Sequence, residues 1–398
     1  MTFVQSIVQR FSFLSKPRRD FLLALHGALL CFVGRATMLN LSRFGAGSPR
    51  RLSRHFAQSL KWATLNWLAL QECQVTDNRL FACLDATFLP KSGKHTYGVG
   101  WFHHGVHGRA EKGCEAIHLG LVDQDEHTAY TLAVEQTPAT CQDDCTRMDF
   151  YASLVCTHSS DLLAHGVTHL VCDGAFSKRK FVERVSQAGL HMIGKLRKDS
   201  RLRYLYKGEH PKRPGRRKQF DGRVDLTRLW RFISRHKPAL GHEMLWCDVN
   251  SPCFGKTIRV VVIREYDKPI SKPRIFFSTD TSLDPEELVA MYAARFQQEF
   301  IFRDGKQHMG FADGQMRDKQ KRHFHLNASL WALNMARLED REAQEHEPAR
   351  VISLAKWKRR ATCRYAARRI LSISGQDADP AQIEEILDEL AHDLDFAV

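Results

Sequence analysis

Between Phe81 and Val134 the chain holds four short runs rich in apolar and β-forming residues, Phe81 to Thr87, Tyr97 to Phe102, Ala116 to Val122 and Ala129 to Val134, parted by Gly and polar turns. Such runs predict consecutive strands. A helical stretch from about Arg147 to His165 follows, then a strand over Thr168 to Cys172 and a helix beginning near Ser177. Strands in succession that give way to strand and helix in alternation predict a mixed α/β sheet. Asp85 lies inside the first strand, and Asp173 closes the strand after the long helix. Open α/β sheets place ligands at the carboxyl ends of their strands. A carboxylate buried in an apolar strand without a partner costs several kcal/mol, so Asp85 calls for company. Asp173 alone would pass for a turn residue or cap.

A third acid sits in a tighter pattern. Tyr292, Arg295, Glu299 and Lys306 spell Y-x2-R-x3-E-x6-K. At about 100° per helical residue these positions fall within about 60° of one another, so one stripe carries a phenol, a guanidinium, a carboxylate and an ammonium. Arg303, four residues after Glu299, is predicted to share that face. Around the stripe stand Ala293, Ala294, Phe296, Phe300, Ile301 and Phe302, so the element is expected to be mostly buried. Its start is well marked, with Asp284 as cap, Pro285 in the first turn and Glu287 completing a capping box. Asp85, Asp173 and Glu299 are far apart in sequence, and three converging carboxylates repel unless divalent cations lie between them. Oxygen ligands of this kind suit Mg²⁺, or Mn²⁺ in its place, rather than zinc.

The chain of 398 residues carries a formal charge of +14, which points to a polyanionic partner, nucleic acid first. From Lys195 to Lys237 there are 16 Lys and Arg against 4 Asp and Glu. Tyr204, Tyr206, Phe220, Trp230 and Phe232 are interleaved with Arg216, Arg217 and Lys218, a mixture suited to phosphates and bases together. Residues 1–75 read as helical, with a Gly45-Ala46-Gly47-Ser48-Pro49 loop before a basic helix carrying Arg51 and Arg54. That outline fits a helix-turn-helix DNA reader, and a small bundle with a basic face fits it as well. The apolar run from Phe21 to Val33 behind Lys16, Arg18 and Arg19 imitates a signal peptide but is short for a membrane span and contains His26, so it is expected to be a buried helix. Eleven cysteines without regular spacing suit a reduced cytosolic protein. Cys141 and Cys145 could form half a zinc site, yet no second pair follows. His103, His104 and His107, with no carboxylate noted at matching spacing, read as loop or surface residues. The Lys356 to Arg369 segment, with seven Lys and Arg, suits DNA or the acidic stretch from Gln376 to Val398 of another subunit.

Leu84-Asp85-Ala86-Thr87, Val171-Cys172-Asp173-Gly174 and the Y-x2-R-x3-E-x6-K run resemble the three catalytic blocks of DDE transposases of the insertion sequence 4 family, over roughly residues 80–335. The resemblance implies an α/β, RNase H-like catalytic core with a β-rich insertion, preceded by a helical N-terminal domain and followed by a helical C-terminal region. The expected divisions are a helical DNA-binding domain over 1–75, core over 76–195, basic β-rich insertion over 196–280, core with the catalytic Glu helix over 281–340, and a helical region over 341–398. It implies that Asp85, Asp173 and Glu299 are catalytic metal ligands, and that Tyr292, Arg295, Arg303 and Lys306 contact DNA. Where family members that cleave through a hairpin often carry Trp to hold a flipped base, this chain has Phe296, which retains an aromatic face. The implied activity is cleavage at terminal inverted repeats of double-stranded DNA and transfer of the 3′-OH ends into target DNA, by a homodimer, in the bacterial cytoplasm beside the nucleoid. An RNase H-like nuclease without strand transfer, or a transposase-derived DNA-binding regulator, are the competing readings.

Overall fold

The computed structural model describes residues 3–141, 145–209, 217–237, 242–265, 273–343 and 352–373. Arg216 and the acidic stretch from Gln376 to Val398 lie outside the described residues. Five helices lead the chain: α1 (Phe3–Arg10), α2 (Lys16–Cys31), α3 (Met38–Arg43), α4 (Pro49–Phe56) and α5 (Trp62–Glu72). Four strands follow, β1 (Leu80–Pro90), β2 (Gly100–His104), β3 (Arg109–Asp123) and β4 (Thr128–Gln136). Then come α6 (Arg147–Ala164), β5 (His169–Cys172), α7 (Arg179–Gln187) and β6 (His191–Lys195). Six more strands are β7 (Arg203–Leu205), β8 (Phe220–Arg223), β9 (Ile233–Lys237), β10 (His242–Ser251), β11 (Lys256–Glu265) and β12 (Arg274–Ser278). The chain continues through α8 (Pro285–Ala294), α9 (Gln297–His308), α10 (Lys319–Ala343) and α11 (Leu354–Ile373).

All the strands join one large mixed sheet in the order β2-β3-β1-β5-β6-β12-β11-β10-β7-β8, with β4 beside β3 and β9 beside β10. β1 runs antiparallel to β3 but parallel to β5, and β5 runs parallel to β6. Phe81, Ala82, Cys83 and Leu84 of β1 are fully buried, the unbroken apolar run expected of a strand covered on both faces. β12 pairs antiparallel with β6, so the strands between α7 and α8 extend the sheet. β2 starts later than the sequence pattern predicts. Tyr97 is held off the sheet because its N–H donates to Arg317 O at 3.0 Å and its carbonyl accepts from Gln136 Nε2 at 2.6 Å.

α10 closes the β4 edge. Asn327 accepts from Val134 N at 3.1 Å and donates to Val134 O at 2.8 Å. Two helical turns later, Asn334 accepts from Thr131 N at 2.9 Å and donates to Thr131 O at 2.8 Å. Each carboxamide thus pairs like one residue of a neighbouring strand, which satisfies backbone groups that would otherwise be buried unpaired. The N-terminal helices join the same apolar cluster: Phe56 of α4 stacks on Phe324 of α10 at 4.5 Å, and Trp62 of α5 meets that ring edge-on at 5.0 Å. Phe21, Leu22, Leu25 and Leu29 of α2 are fully buried, which makes this run a core helix. No helix among the described residues is long and apolar enough to cross a membrane. All eleven cysteines are free thiols.

Candidate carboxylate site

Parallel pairing of β1 with β5 ends at Leu84 opposite Cys172, so Asp85 and Asp173 are the next residue of each strand. β1 continues beyond Asp85, whereas the chain leaves β5 at Asp173 for a turn of 3₁₀ helix over Gly174–Phe176. The third acid arrives from α9. Asp284 caps α8 by accepting from Glu286 N at 2.8 Å. The single helix expected for the stripe is instead two, with a turn at Arg295 and Phe296 where hydrogen bonds tighten to three-residue spacing: Phe296 N to Ala293 O, and Gln298 N to Arg295 O. Both residues keep right-handed helical dihedrals, so the stripe survives the joint with little change of phase.

Arg295 sits at the centre. Its Nη1 donates to Asp85 Oδ2 at 3.2 Å, and Nη2 lies 3.6 Å from Glu299 Oε1. Tyr292 donates its hydroxyl to Asp173 Oδ1 at 3.4 Å, and the guanidinium lies 5.7 Å from the Tyr292 ring centre. Asp85 also accepts from Ala86 N at 2.8 Å. Burial pushes the Asp85 carboxyl up to about 6; Arg295 and the Ala86 N–H pull it back, and the charges of Asp173 and Glu299 raise it again. Tyr292 is pushed up to about 12, by burial first and then by Asp173. The structure therefore brings Asp85, Asp173, Glu299, Tyr292 and Arg295 to one place.

Divalent cations fit this donor set. The donors on offer are carboxylate oxygens, and the ionised form of Asp85 is disfavoured where it stands. The three carboxylates are spread wider than 4.8 Å, because the one group of three metal-ligand side chains within that distance among the described residues lies elsewhere. One ion cannot touch all three at that spread.

Other predicted contacts are engaged differently. Lys306 reaches back to β1, where Nζ donates to Thr87 Oγ1 at 2.7 Å and Phe88 O at 3.1 Å, and burial lowers its ammonium. Arg303 pairs with Asp304 at 2.9 Å and lies 4.5 Å over Phe300. It does not join the carboxylates. Phe296 is half exposed and meets Phe300 edge-on at 5.2 Å, leaving an open aromatic face beside Glu299. Arg54 and Arg217 are exposed, Arg51 is half-buried, and Lys218 binds Asp221 at 2.8 Å while lying 4.7 Å over Tyr206. Further along the basic strands, Arg203 covers Phe220 at 3.9 Å and Arg231 covers Tyr204 at 4.2 Å, beside the exposed Trp230.

Two supporting residues escaped the sequence reading. His118 is the cross-strand partner of Asp85, fully buried and pushed down to about 3 by burial, hence neutral. Gln298, next to Glu299, bonds His118 Nδ1 at 2.8 Å, and His118 Nε2 meets Thr131 Oγ1 at 3.0 Å. This buried chain of contacts anchors α9 under the carboxylates. A strand register was needed to find it.

Residues 11–149 match the family model described as DDE superfamily endonuclease. That stretch is about a third of the chain and includes Asp85 but neither Asp173 nor Glu299. None of the curated proteins matches the chain. A solved piggyBac transposase synaptic complex with hairpin DNA is similar at 9% identity and a TM-score of 0.41, over 97% of this chain and 80% of that one. A likeness that distant bears on neither fold nor site.

Proposed function

We propose that the protein is a DNA transposase of the DDE type, in which Asp85, Asp173 and Glu299 hold Mg²⁺, or Mn²⁺ in its place, against a phosphodiester. One observation carries this reading: acids from β1 and α9, Asp85 and Glu299, flank Arg295, the acid at the end of β5, Asp173, is held by the neighbouring Tyr292, and Asp85 is pushed up to about 6. The match of residues 11–149 to the DDE superfamily endonuclease model supports it. The change from antiparallel β4, β3 and β1 to parallel β1, β5 and β6, with helices on the crossovers, supports an RNase H-like core extended by a β-rich insertion.

When bound, the cations supply activation of the attacking oxygen and stabilisation of the leaving oxygen. Asp85, Asp173 and Glu299 would hold them. Arg295 and Tyr292 would turn from the carboxylates to the phosphate once that charge is neutralised. Phe296 would offer its open face to a base displaced from the duplex. In the first step water forms a bond to phosphorus and the 3′ oxygen leaves as a hydroxyl. In the second, that 3′-OH attacks a phosphodiester of target DNA and displaces the target's 3′ oxygen, so one site serves both. Arg217 and Lys218 of the insertion, and Arg51 and Arg54 of α4, would grip backbone. Holding two ends together calls for a homodimer on DNA, working where the genome is accessible, in a bacterial cytoplasm.

Labelled DNA from the flanks of the coding region, incubated with the protein, Mg²⁺ and a target plasmid, tests the reading. Joined product is expected from the natural protein and none from Asp85→Ala, Asp173→Ala or Glu299→Ala, all of which should still bind the ends. Cleavage retained in all three variants would sink the proposal. Cleavage without joining would make the protein a nuclease, and binding without nicking a regulator.

A further inference from the structure

Among the described residues, the one cluster of three metal-ligand side chains within 4.8 Å of one another is His104, His107 and Glu111, on the hairpin joining β2 to β3. Sequence spacing alone pairs these two histidines with no carboxylate. Glu111 supplies one. It is the fourth residue after His107, carried back by the turn: Gly108, at φ +64°, donates its N–H to His104 O at 2.9 Å. The imidazoles of His104 and His107 lie parallel, centres 4.1 Å apart and planes 11° apart. His107 Nδ1 meets Glu111 Oε1 at 2.8 Å. His104 Nδ1 accepts the His107 backbone N–H at 3.3 Å, a long bond. Phe88 of β1 packs on the His104 ring at 4.7 Å and fixes it from the sheet side.

We propose that this hairpin is a second metal site, of a different class from the carboxylate trio, taking one zinc-like divalent cation through His104, His107 and Glu111. Two imidazoles and one carboxylate make a nitrogen-rich set that favours Zn²⁺, Co²⁺ or Ni²⁺ and disfavours Mg²⁺. Donors about 2.1 Å from a tetrahedral ion lie about 3.4 Å from one another, so the observed spread closes with rotamer-scale movement. Arg109 shares Glu111 Oε1 at 2.8 Å, but its side chain is 74% exposed and free to swing into solvent as the cation replaces its charge. The fourth position stays open to water. With ligands on both sides of the turn, the ion clamps the hairpin at the sheet margin. This site is independent of the carboxylate reading.

Metal-stripped protein titrated with Co²⁺, followed by its visible absorption, and with Zn²⁺ against a chromophoric chelator, tests the proposal. With excess Mg²⁺ present to occupy the carboxylate trio, one equivalent should bind and should not be displaced. His104→Ala and His107→Ala should each weaken Zn²⁺ binding by at least about tenfold, and Glu111→Gln should weaken it as well. Asp85→Ala and the double variant Cys141→Ser with Cys145→Ser should leave it unchanged. All three hairpin side chains are at least partly exposed, and circular dichroism verifies that the variants fold. Binding of equal stoichiometry and strength in the hairpin variants, or loss of Zn²⁺ to Mg²⁺, would overturn the site, and neither result touches DNA cleavage.

Discussion

Asp85 carries a stability cost that replacement by Asn should remove. Its carboxyl is raised from 3.8 to about 6, by burial above all, and its side chain is only 24% exposed. Between those pH values the folded protein binds more protons than the unfolded chain, so stability falls as pH rises through the window. Below about 4 the group costs nothing; above about 6 the full cost applies, roughly 3 kcal/mol for a shift of about two units. Asp85→Asn keeps one of the two acceptor oxygens, for Arg295 or for the Ala86 N–H, and cannot ionise, so the lost acceptor can only reduce the gain. In EDTA at pH 8 the variant should therefore be more stable by up to about 3 kcal/mol, which for a chain of this size raises Tm by up to roughly 4 °C. At pH 4.5 the gain should shrink to about 1 kcal/mol. Adding Mn²⁺ at pH 8 should raise the Tm of the natural protein and leave the variant unmoved. Urea and thermal unfolding at the two pH values measure this. An Asn variant no more stable at pH 8, or a gain that does not depend on pH, would refute the electrostatic reasoning.

Asn334→Ala should cost about 2 to 4 kcal/mol in urea unfolding, because it strands the N–H and C=O of Thr131 against α10; a cost under about 0.5 kcal/mol would mean that the clamp is idle. Lys306→Met should cost about 1 to 3 kcal/mol, since both observed bonds of Nζ go to β1, and an unchanged stability would show that they contribute nothing. Phe296→Ala should leave stability within about 0.5 kcal/mol yet weaken binding of frayed DNA ends by about 1 to 3 kcal/mol, measured by fluorescence anisotropy; equal binding would remove its stacking role.

The parts of the site legible in the sequence are those written in local periodicity. Asp85 stands out because a charge breaks an apolar strand, Asp173 because a strand ends there, and the Tyr292, Arg295 and Glu299 stripe because helical spacing repeats. The turn at Arg295 and Phe296 was invisible because a brief tightening hardly alters the phase that the spacing measures. Arg303 was assigned by angle alone, yet Asp304 and Phe300 hold it away from the carboxylates. The pairing of His118 with Asp85 depends on strand register, and the nearness of Glu111 to His107 on a hairpin turn; neither follows from helical spacing. Nor did the pattern of the basic segment show that its strands would extend the sheet through β12 and β6.

Anomalous scattering from Mn²⁺ in crystals grown with cleaved DNA ends tests the central claim most directly. Manganese held among Asp85, Asp173 and Glu299, with Arg295 moved onto phosphate, is the predicted result. Arg295 still bridging Asp85 and Glu299, with no manganese among the three carboxylates, would contradict it.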